Sequence, residues 1–192
     1  MKKRIFTGAG IAILTPMHED GSINFEEFGR LIDWQIENGT DAIIVCGTTG
    51  ECATMSEEEH LECIRFCQKH VAGRVPVVAG AGSNDTAFAV EMVKECGNIG
   101  VDGLLVVTPY YNKTSQRGLV AHYTKLAEAT DLPIIMYSVP SRTGVNILPA
   151  TCHELSKVPN IVAIKEASGN IEQVSEIKAL CGDKLDVYSG ED

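Results

Sequence analysis

The sequence predicts an α/β protein built on a parallel sheet, and three observations carry that prediction. Short apolar runs at residues 8–14, 42–46, 75–79, 104–107, 133–137, 161–165 and 186–189 recur roughly every thirty residues, the size of one strand–helix unit. Most are continuously apolar and β-branched, as expected of strands covered on both faces. Longer amphipathic stretches separate them, and no long linker or low-complexity segment intervenes. The 192 residues therefore read as one domain of six strand–helix units followed by a seventh strand. Two architectures fit: an open doubly wound sheet, or a (β/α)8 barrel cut short after about its seventh strand, since a full barrel takes about 250 residues. Local pattern does not choose between them.

The first run is preceded by Lys2-Lys3-Arg4 and loosely imitates an export signal. Thr7, Gly8 and Gly10 interrupt it and no small-x-small site follows, so it reads as a first strand. Before the first two helices stand Asn24-Phe25-Glu26-Glu27 and Ser56-Glu57-Glu58-Glu59. Both predict a capping box, in which the first side chain accepts an amide and the glutamate reaches back. Gly39 and Gly73 mark where these helices stop.

Composition removes several function classes. Sixteen basic against twenty-six acidic residues give a net charge of −10, a field that repels phosphates and argues against general nucleic-acid binding. At 44% hydrophobic and 22% charged, the chain can bury a sizeable core and is not a disordered tail. Its longest apolar runs are about five residues, far short of the ~20 a membrane span needs. Seven cysteines, an odd number in a chain too long to need staples, suit reduced thiols in a cytoplasm.

In both architectures sites form at the C-terminal ends of strands. Lys165 ends the apolar run Ile161-Val162-Ala163-Ile164 and shares a face with Ile161 and Ala163. If that face points inward, desolvation disfavours the ammonium and frees an amine that can attack a ketone; the alternative is a strand-end lysine reaching to water. Tyr137 stands at the same level one strand earlier, either a proton shuttle or a core tyrosine. Gly47-Thr48-Thr49-Gly50-Glu51 predicts a tight turn whose amides and hydroxyls could hold a carboxylate. It is not a Walker loop, and Gly80-Ala81-Gly82 lacks the third glycine of a dinucleotide fingerprint. Arg142, past the fifth run, could clamp a carboxylate or be a solvated loop cation. His60, Cys63, Cys67 and His70 are metal-ligand types, but ten residues of helix span about 15 Å and cannot surround one ion. Cys63, Ile64 and Cys67 instead predict the buried stripe of a helix.

These ends together resemble a known family. Gly47-Thr48-Thr49-Gly50-Glu51, Thr108-Pro109-Tyr110-Tyr111-Asn112, Tyr137-Ser138-Val139-Pro140-Ser141-Arg142-Thr143-Gly144, Ile164-Lys165-Glu166-Ala167-Ser168 and Ser189-Gly190 fall in order on successive strand ends. They resemble the dihydrodipicolinate synthase family of pyruvate-dependent class I aldolases, over essentially the whole chain. The resemblance implies a (β/α)8 barrel spanning residues 1–192 in part, without the eighth strand, its helix and a C-terminal helical region. It implies a lyase that condenses pyruvate with L-aspartate 4-semialdehyde to give 4-hydroxy-tetrahydrodipicolinate, on the diaminopimelate route to lysine. Lys165 would form the Schiff base. Tyr137, Thr48 and Tyr111 would relay protons, Tyr111 entering a neighbouring subunit's site across a tight dimer of a homotetramer. Thr49 would hold the pyruvate carboxylate, Arg142 the semialdehyde carboxylate, and the Gly190 carbonyl would line the site. No metal or organic cofactor, nucleic acid or membrane partner is implied.

Within the superfamily, Thr48-Thr49 and Arg142 favour this synthase over sialic-acid lyases, which resemble Ser-Thr at the first place. Another pyruvate-dependent aldolase, such as a 2-keto-3-deoxy sugar acid aldolase, is the nearest enzymatic alternative. A non-catalytic fragment that binds an oxoacid is the alternative of another class, and the intact lysine, tyrosines and threonines argue against it. Departures from the family pattern are Ser138 where asparagine is usual and Glu191-Asp192 where Asp-Asp is usual. At the family's lysine-feedback site His60, Asn84 and Tyr110 match, but Phe88 stands in place of an acid and Glu57 in place of a histidine, which implies weak inhibition. Without strand eight, the barrel would have open edges and the chain alone would be poorly active.

Overall fold

The computed structural model describes Lys2 and residues 4–190; Met1, Lys3 and the Glu191-Asp192 pair lie outside the described residues. Seven strands, β1 Gly10–Ala12, β2 Ala42–Val45, β3 Val77–Gly80, β4 Gly103–Val107, β5 Ile134–Ser138, β6 Ile161–Glu166 and β7 Asp186–Ser189, fall on the seven apolar runs. Seven helices accompany them: α1 Phe25–Glu37, α2 Glu57–Val71, α3 Thr86–Ile99, α4 Gln116–Ala127, α5 Pro140–Thr143, α6 Pro149–Leu155 and α7 Ile171–Cys181. The sheet order is β1-β2-β3-β4-β5-β6-β7. Pairs β1–β2, β2–β3, β5–β6 and β6–β7 are parallel. A doubly wound sheet reverses its strand order partway along; strict chain order is the singly wound arrangement of a barrel. This decides the choice the local pattern left open.

The chain divides into two compact units. One comprises Ile5–Gly80 and Glu95–Leu104. Its core joins Phe28 and Ile32 of α1, Ile43 and Val45 of β2, Cys63, Ile64 and Cys67 of α2, and Val78 of β3, each less than 1% exposed. Side chains of this kind stabilise by about 1.5–3 kcal/mol each when fully buried. Phe25, Phe28 and His70 ring Phe66 at centroid distances of 4.9, 5.7 and 5.4 Å. The four metal-ligand types on α2 thus resolve as expected. Cys63 and Cys67 are core, His70 bonds Asp33 at 3.0 Å, and the His60 ring meets the Gly80 carbonyl at 2.8 Å.

The capping prediction holds in full for α2. Ser56 Oγ accepts from the Glu59 amide, and the Glu59 carboxylate accepts from the Ser56 amide at 2.8 Å. For α1 only half forms. Asn24 accepts from the Glu27 amide at 3.0 Å, but the Glu27 carboxylate instead takes Arg30, one turn on, at 2.8 Å. A salt bridge to a charged donor competes with the neutral cap amide for the same oxygens.

The other unit comprises Met1–Arg4, Ala81–Lys94 and Leu105–Asp192. Leu119, Tyr123 and Leu126 of α4, Cys152 and Leu155 of α6, Ile134 and Met136 of β5, Ile161 and Ile164 of β6 and Ile177 of α7 fill its core. The basic N-terminus is absorbed into it. The Lys2 ammonium donates to the carbonyls of Ser156, Val158 and Ile161, and burial pushes its pKa down to about 8. Arg4 grips Asp186 of β7 through two nitrogens at 2.8 and 3.0 Å. Among the described residues no helix is long and apolar enough to cross a membrane, and all seven thiols are free.

Candidate active site

Tyr137 and Lys165 are register partners on β5 and β6, one residue short of each strand's C-terminal end. In-register neighbours on parallel strands project from the same face. Accordingly the Lys165 ammonium lies over the Tyr137 ring, 4.7 Å from its centroid. Such a contact stabilises a cation by about 0.5–2 kcal/mol. Tyr137 is buried and Lys165 half-buried. Gly190, just past β7, crowds the stem of Lys165: a Cβ built on it would come within 3.0 Å of Lys165 Cε and 2.8 Å of the Ala167 Cβ. Only a glycine lets the chain, tied to β6 by Gly190 N–H donating to the Glu166 carbonyl at 2.8 Å, pass this close to the amine.

The opposite face of the same strand ends carries a polar network, buried at Ser138, Glu166 and Gln173 and half-buried at Asn146. Ser138 Oγ donates to Asn146 Oδ1 at 3.1 Å and accepts from the Ile147 amide at 3.2 Å. Asn146 and Gln173 exchange amide bonds, Asn146 Nδ2 to Gln173 Oε1 at 2.7 Å and Gln173 Nε2 to Asn146 Oδ1 at 3.1 Å. Gln173 Nε2 also donates to Glu166 Oε1 at 2.9 Å, while the hydroxyl and amide of Ser168 donate to Glu166 Oε2 at 3.0 and 3.2 Å. Gln116 joins from α4, donating to the Asn146 carbonyl and accepting from Thr151 and the Leu148 amide. The Ser138 departure thus has a structural role, because its hydroxyl anchors the loop after β5. Sequence reading missed Asn146 and Gln173, ordinary polar residues until the fold pairs them, and quoted Glu166 only as part of a family motif.

Arg142 lies on the single turn α5, exposed. That turn is pinned by Thr143, whose hydroxyl contacts the carbonyls of Val139 and Val145 at 3.2 and 3.0 Å. Tyr111 follows β4 and is 91% exposed, with a left-handed backbone at φ 65°. In the other unit, Thr48 and Thr49 follow β2, both exposed. The predicted tight turn is present, with the amides of Gly50 and Glu51 donating to the carbonyls of Gly47 and Thr48 at 3.0 and 3.1 Å. The turn is braced by Thr15, whose hydroxyl donates to the Gly50 carbonyl at 2.8 Å. Burial lowers the pKa of His60 and keeps its ring neutral, so its Nε2 is the donor toward Gly80.

Known proteins share this fold. The dihydrodipicolinate synthetase family profile matches residues 5–192. A curated relative from Caldicellulosiruptor saccharolyticus, 4-hydroxy-tetrahydrodipicolinate synthase, is 60% identical over 98% of this chain and 63% of its own length. The crystal structure of dihydrodipicolinate synthase from Aquifex aeolicus superposes with a TM-score of 0.94 at 46% identity, over 97% of this chain and 64% of the other. A dihydrodipicolinate synthase from Acinetobacter baumannii, chloride inhibited and complexed with pyruvate, gives 0.95 at 43% identity, over 97% and 64%. The chain therefore spans a little under two thirds of the length of the proteins it matches. The chain belongs to the dihydrodipicolinate synthetase family.

Proposed function

We propose that the chain carries the catalytic part of a lyase that joins pyruvate to L-aspartate 4-semialdehyde through a Schiff base on Lys165, giving 4-hydroxy-tetrahydrodipicolinate for the diaminopimelate route to lysine in the cytoplasm. The observation that carries this reading is the Lys165 amine set over the Tyr137 ring at 4.7 Å at the end of a buried strand.

The chemistry follows from those groups. The neutral amine attacks the carbonyl carbon of pyruvate; the carbinolamine takes a proton and loses water, leaving an iminium. The iminium draws electrons from the adjacent methyl group, which gives up a proton and becomes the enamine carbon. That carbon attacks the aldehyde carbon of the semialdehyde, and the resulting alkoxide takes a proton; the semialdehyde's own amine then adds to the re-formed iminium carbon, closing the ring and expelling the Lys165 amine as the product leaves. Tyr137, Thr48 and Tyr111 pass these protons; hydroxyl donors of this kind contribute about 10²–10⁴-fold by positioned transfer. Thr49 holds the pyruvate carboxylate, Arg142 the semialdehyde carboxylate through its planar fork, and the Gly190 carbonyl lines the site. Tyr111 acts in a neighbouring copy, so the active assembly is a tight dimer within a homotetramer. Residues 1–192 form one barrel-type catalytic domain, and the semialdehyde is preferred to longer sugar aldehydes because Arg142 suits a short acidic substrate.

Borohydride reduction in the presence of pyruvate tests the central step. We expect a reduced pyruvate adduct on the peptide containing Lys165, and none in the Lys165→Ala chain. An unmodified Lys165 peptide both in this folded chain and in a chain extended to the length of its relatives overturns the reading.

A further inference from the structure

The register of β5 and β6 places two pairs side by side. Tyr137 and Lys165 face one way; Ser138 and Glu166, the next pair, face the other. The second pair is joined by a continuous chain of side-chain hydrogen bonds, Ser138–Asn146–Gln173–Glu166. The backbone ladder between the same strands is irregular at its start, with a register shift between Ile134 and Ile135. A one-residue slip moves a side chain to the opposite face. The end of the ladder at which Lys165 meets Tyr137 is the end the network spans.

The network also has a direction. Gln173 Nε2, Ser168 Oγ and the Ser168 amide all donate to Glu166, so both of its oxygens act there as acceptors. It is 4% exposed, and no cation forms a salt bridge with it among the described residues. With the carboxylate as sink, Gln173 must turn its NH₂ toward Glu166, so its carbonyl faces the Asn146 amide, and the Asn146 carbonyl faces the Ser138 hydroxyl. Every amide orientation follows from that one acceptor. A fully satisfied buried network rigidifies what it connects, and reversing one member places donor against donor.

We infer that Asn146 and Gln173 are positioning residues for the Lys165–Tyr137 pair, acting through Ser138 and Glu166, an inference that rests on the Schiff-base reading of Lys165. They touch neither the amine nor the phenol. Their effect is to fix where the two strand ends sit relative to each other, and hence the distance and tilt between amine and ring. Displacements well under an ångström at such a pair lower the rate of a step that needs aligned groups.

The test exchanges donor and acceptor across the 2.9 Å Gln173–Glu166 contact. Wild-type chain, Glu166→Gln, Gln173→Glu and the double exchange Glu166→Gln/Gln173→Glu are compared by the rate at which pyruvate and borohydride label Lys165, across a pH series. Circular-dichroism melts give the folded fraction. Gln173→Glu sets carboxylate against carboxylate and Glu166→Gln turns an NH₂ toward the Ser168 amide, and each slows labelling per folded molecule by about tenfold, equivalent to about 1.4 kcal/mol. The double variant restores a donor opposite an acceptor and recovers most of that loss. A merely structural role predicts lower melting temperatures with labelling per folded molecule unchanged, and that result overturns the inference. So does a double variant no faster than the slower single. Should a single variant fail to fold, Gln173→Met and Ser138→Ala carry the same comparison, each with an expected slowing of about threefold. Wild-type protein that takes no label both as this chain and extended to the length of its relatives overturns the Schiff-base reading and this inference together; wild-type and variants that label alike overturn the inference alone.

Discussion

The ends of β2 and β3 and the ends of β5 and β6 are secured by different means. At β2–β3 the main chains themselves touch. Gly80 lies so close to the end of β2 that a Cβ on it would sit 2.0 Å from the Cys46 carbonyl oxygen, Cys46 is left-handed at φ 54°, and His60 bonds the Gly80 carbonyl from outside. At β5–β6 the backbone ladder runs to the strand ends, where the Ala167 amide donates to the Ser138 carbonyl at 2.9 Å, and a side-chain network lies behind it. The difference follows what each end presents. A turn that offers amides and short hydroxyls, as Gly47 to Glu51 does, needs only a fixed backbone. An end that offers a long amine and a phenol needs its side chains oriented, and a buried network behind the strand does that.

The sharpest way to break this comparison is to add one carbon to each region. Gly80→Ala drives a methyl group into backbone that cannot rotate away, and we expect a loss of about 3 kcal/mol or more in urea unfolding. Gly118→Ala on α4 has an equally short predicted contact, 2.0 Å, but with the Thr114 hydroxyl, the end of a side chain that can turn. There the clash is relieved and alanine's better helix propensity, about 1 kcal/mol over glycine, offsets what remains. Equal losses at the two sites would show that the first is not held by backbone contact.

How much of this was legible in sequence depends on how far apart the cooperating residues are. The seven strands were readable because each is a local apolar run, and the α2 cap because Ser56 and Glu59 are three residues apart. Strand order was not, because doubly wound and singly wound sheets share one local pattern and differ only in which strands pair. The half-formed α1 box has a local cause, Arg30 one turn beyond Glu27, that the capping pattern alone does not contain. The Lys165–Tyr137 pair was approached through strand-end position and family likeness, since both lie at the same level of adjacent strands. The network behind them was not legible: Ser138 stood out only as a departure from the family pattern, and nothing local links it to Asn146, Glu166 and Gln173 across thirty-odd residues of sequence.

Acid separates the regions more gently. His60 at β2–β3 is half-buried, and His122 on α4, in the unit that contains β5 and β6, is buried with its Nδ1 on the Thr86 hydroxyl at 2.9 Å. Burial lowers both pKa values, that of His122 to about 4. The unfolded chain takes up its proton near pH 6.5 and the folded one only near 4, so this contribution is whole above 6.5 and is lost as pH falls toward 4. For His122 the loss is about 3 kcal/mol. His122→Asn keeps a side-chain group for Thr86 but does not titrate. We expect its unfolding free energy to fall less steeply between pH 6.5 and 4 than that of the wild type. Parallel slopes would mean that His122 charges in the folded state without cost.

The smallest expected effect concerns Tyr123, the largest fully buried side chain, whose hydroxyl donates to the Val106 carbonyl on β4 at 2.9 Å. Phenylalanine fills the same volume, so Tyr123→Phe removes one bond and leaves a carbonyl short of a donor in a site without water access. The transfer of the ring is unchanged, and the cost is that of the unmet acceptor, about 1–2 kcal/mol. The value matters for the comparison because it calibrates one neutral side-chain bond in the unit that contains β5 and β6. If Tyr123→Phe costs nothing in chemical denaturation, single neutral bonds there are replaceable. The rigidity of the strand ends would then lie in the shared acceptor Glu166, toward which three donors converge, rather than in the number of bonds.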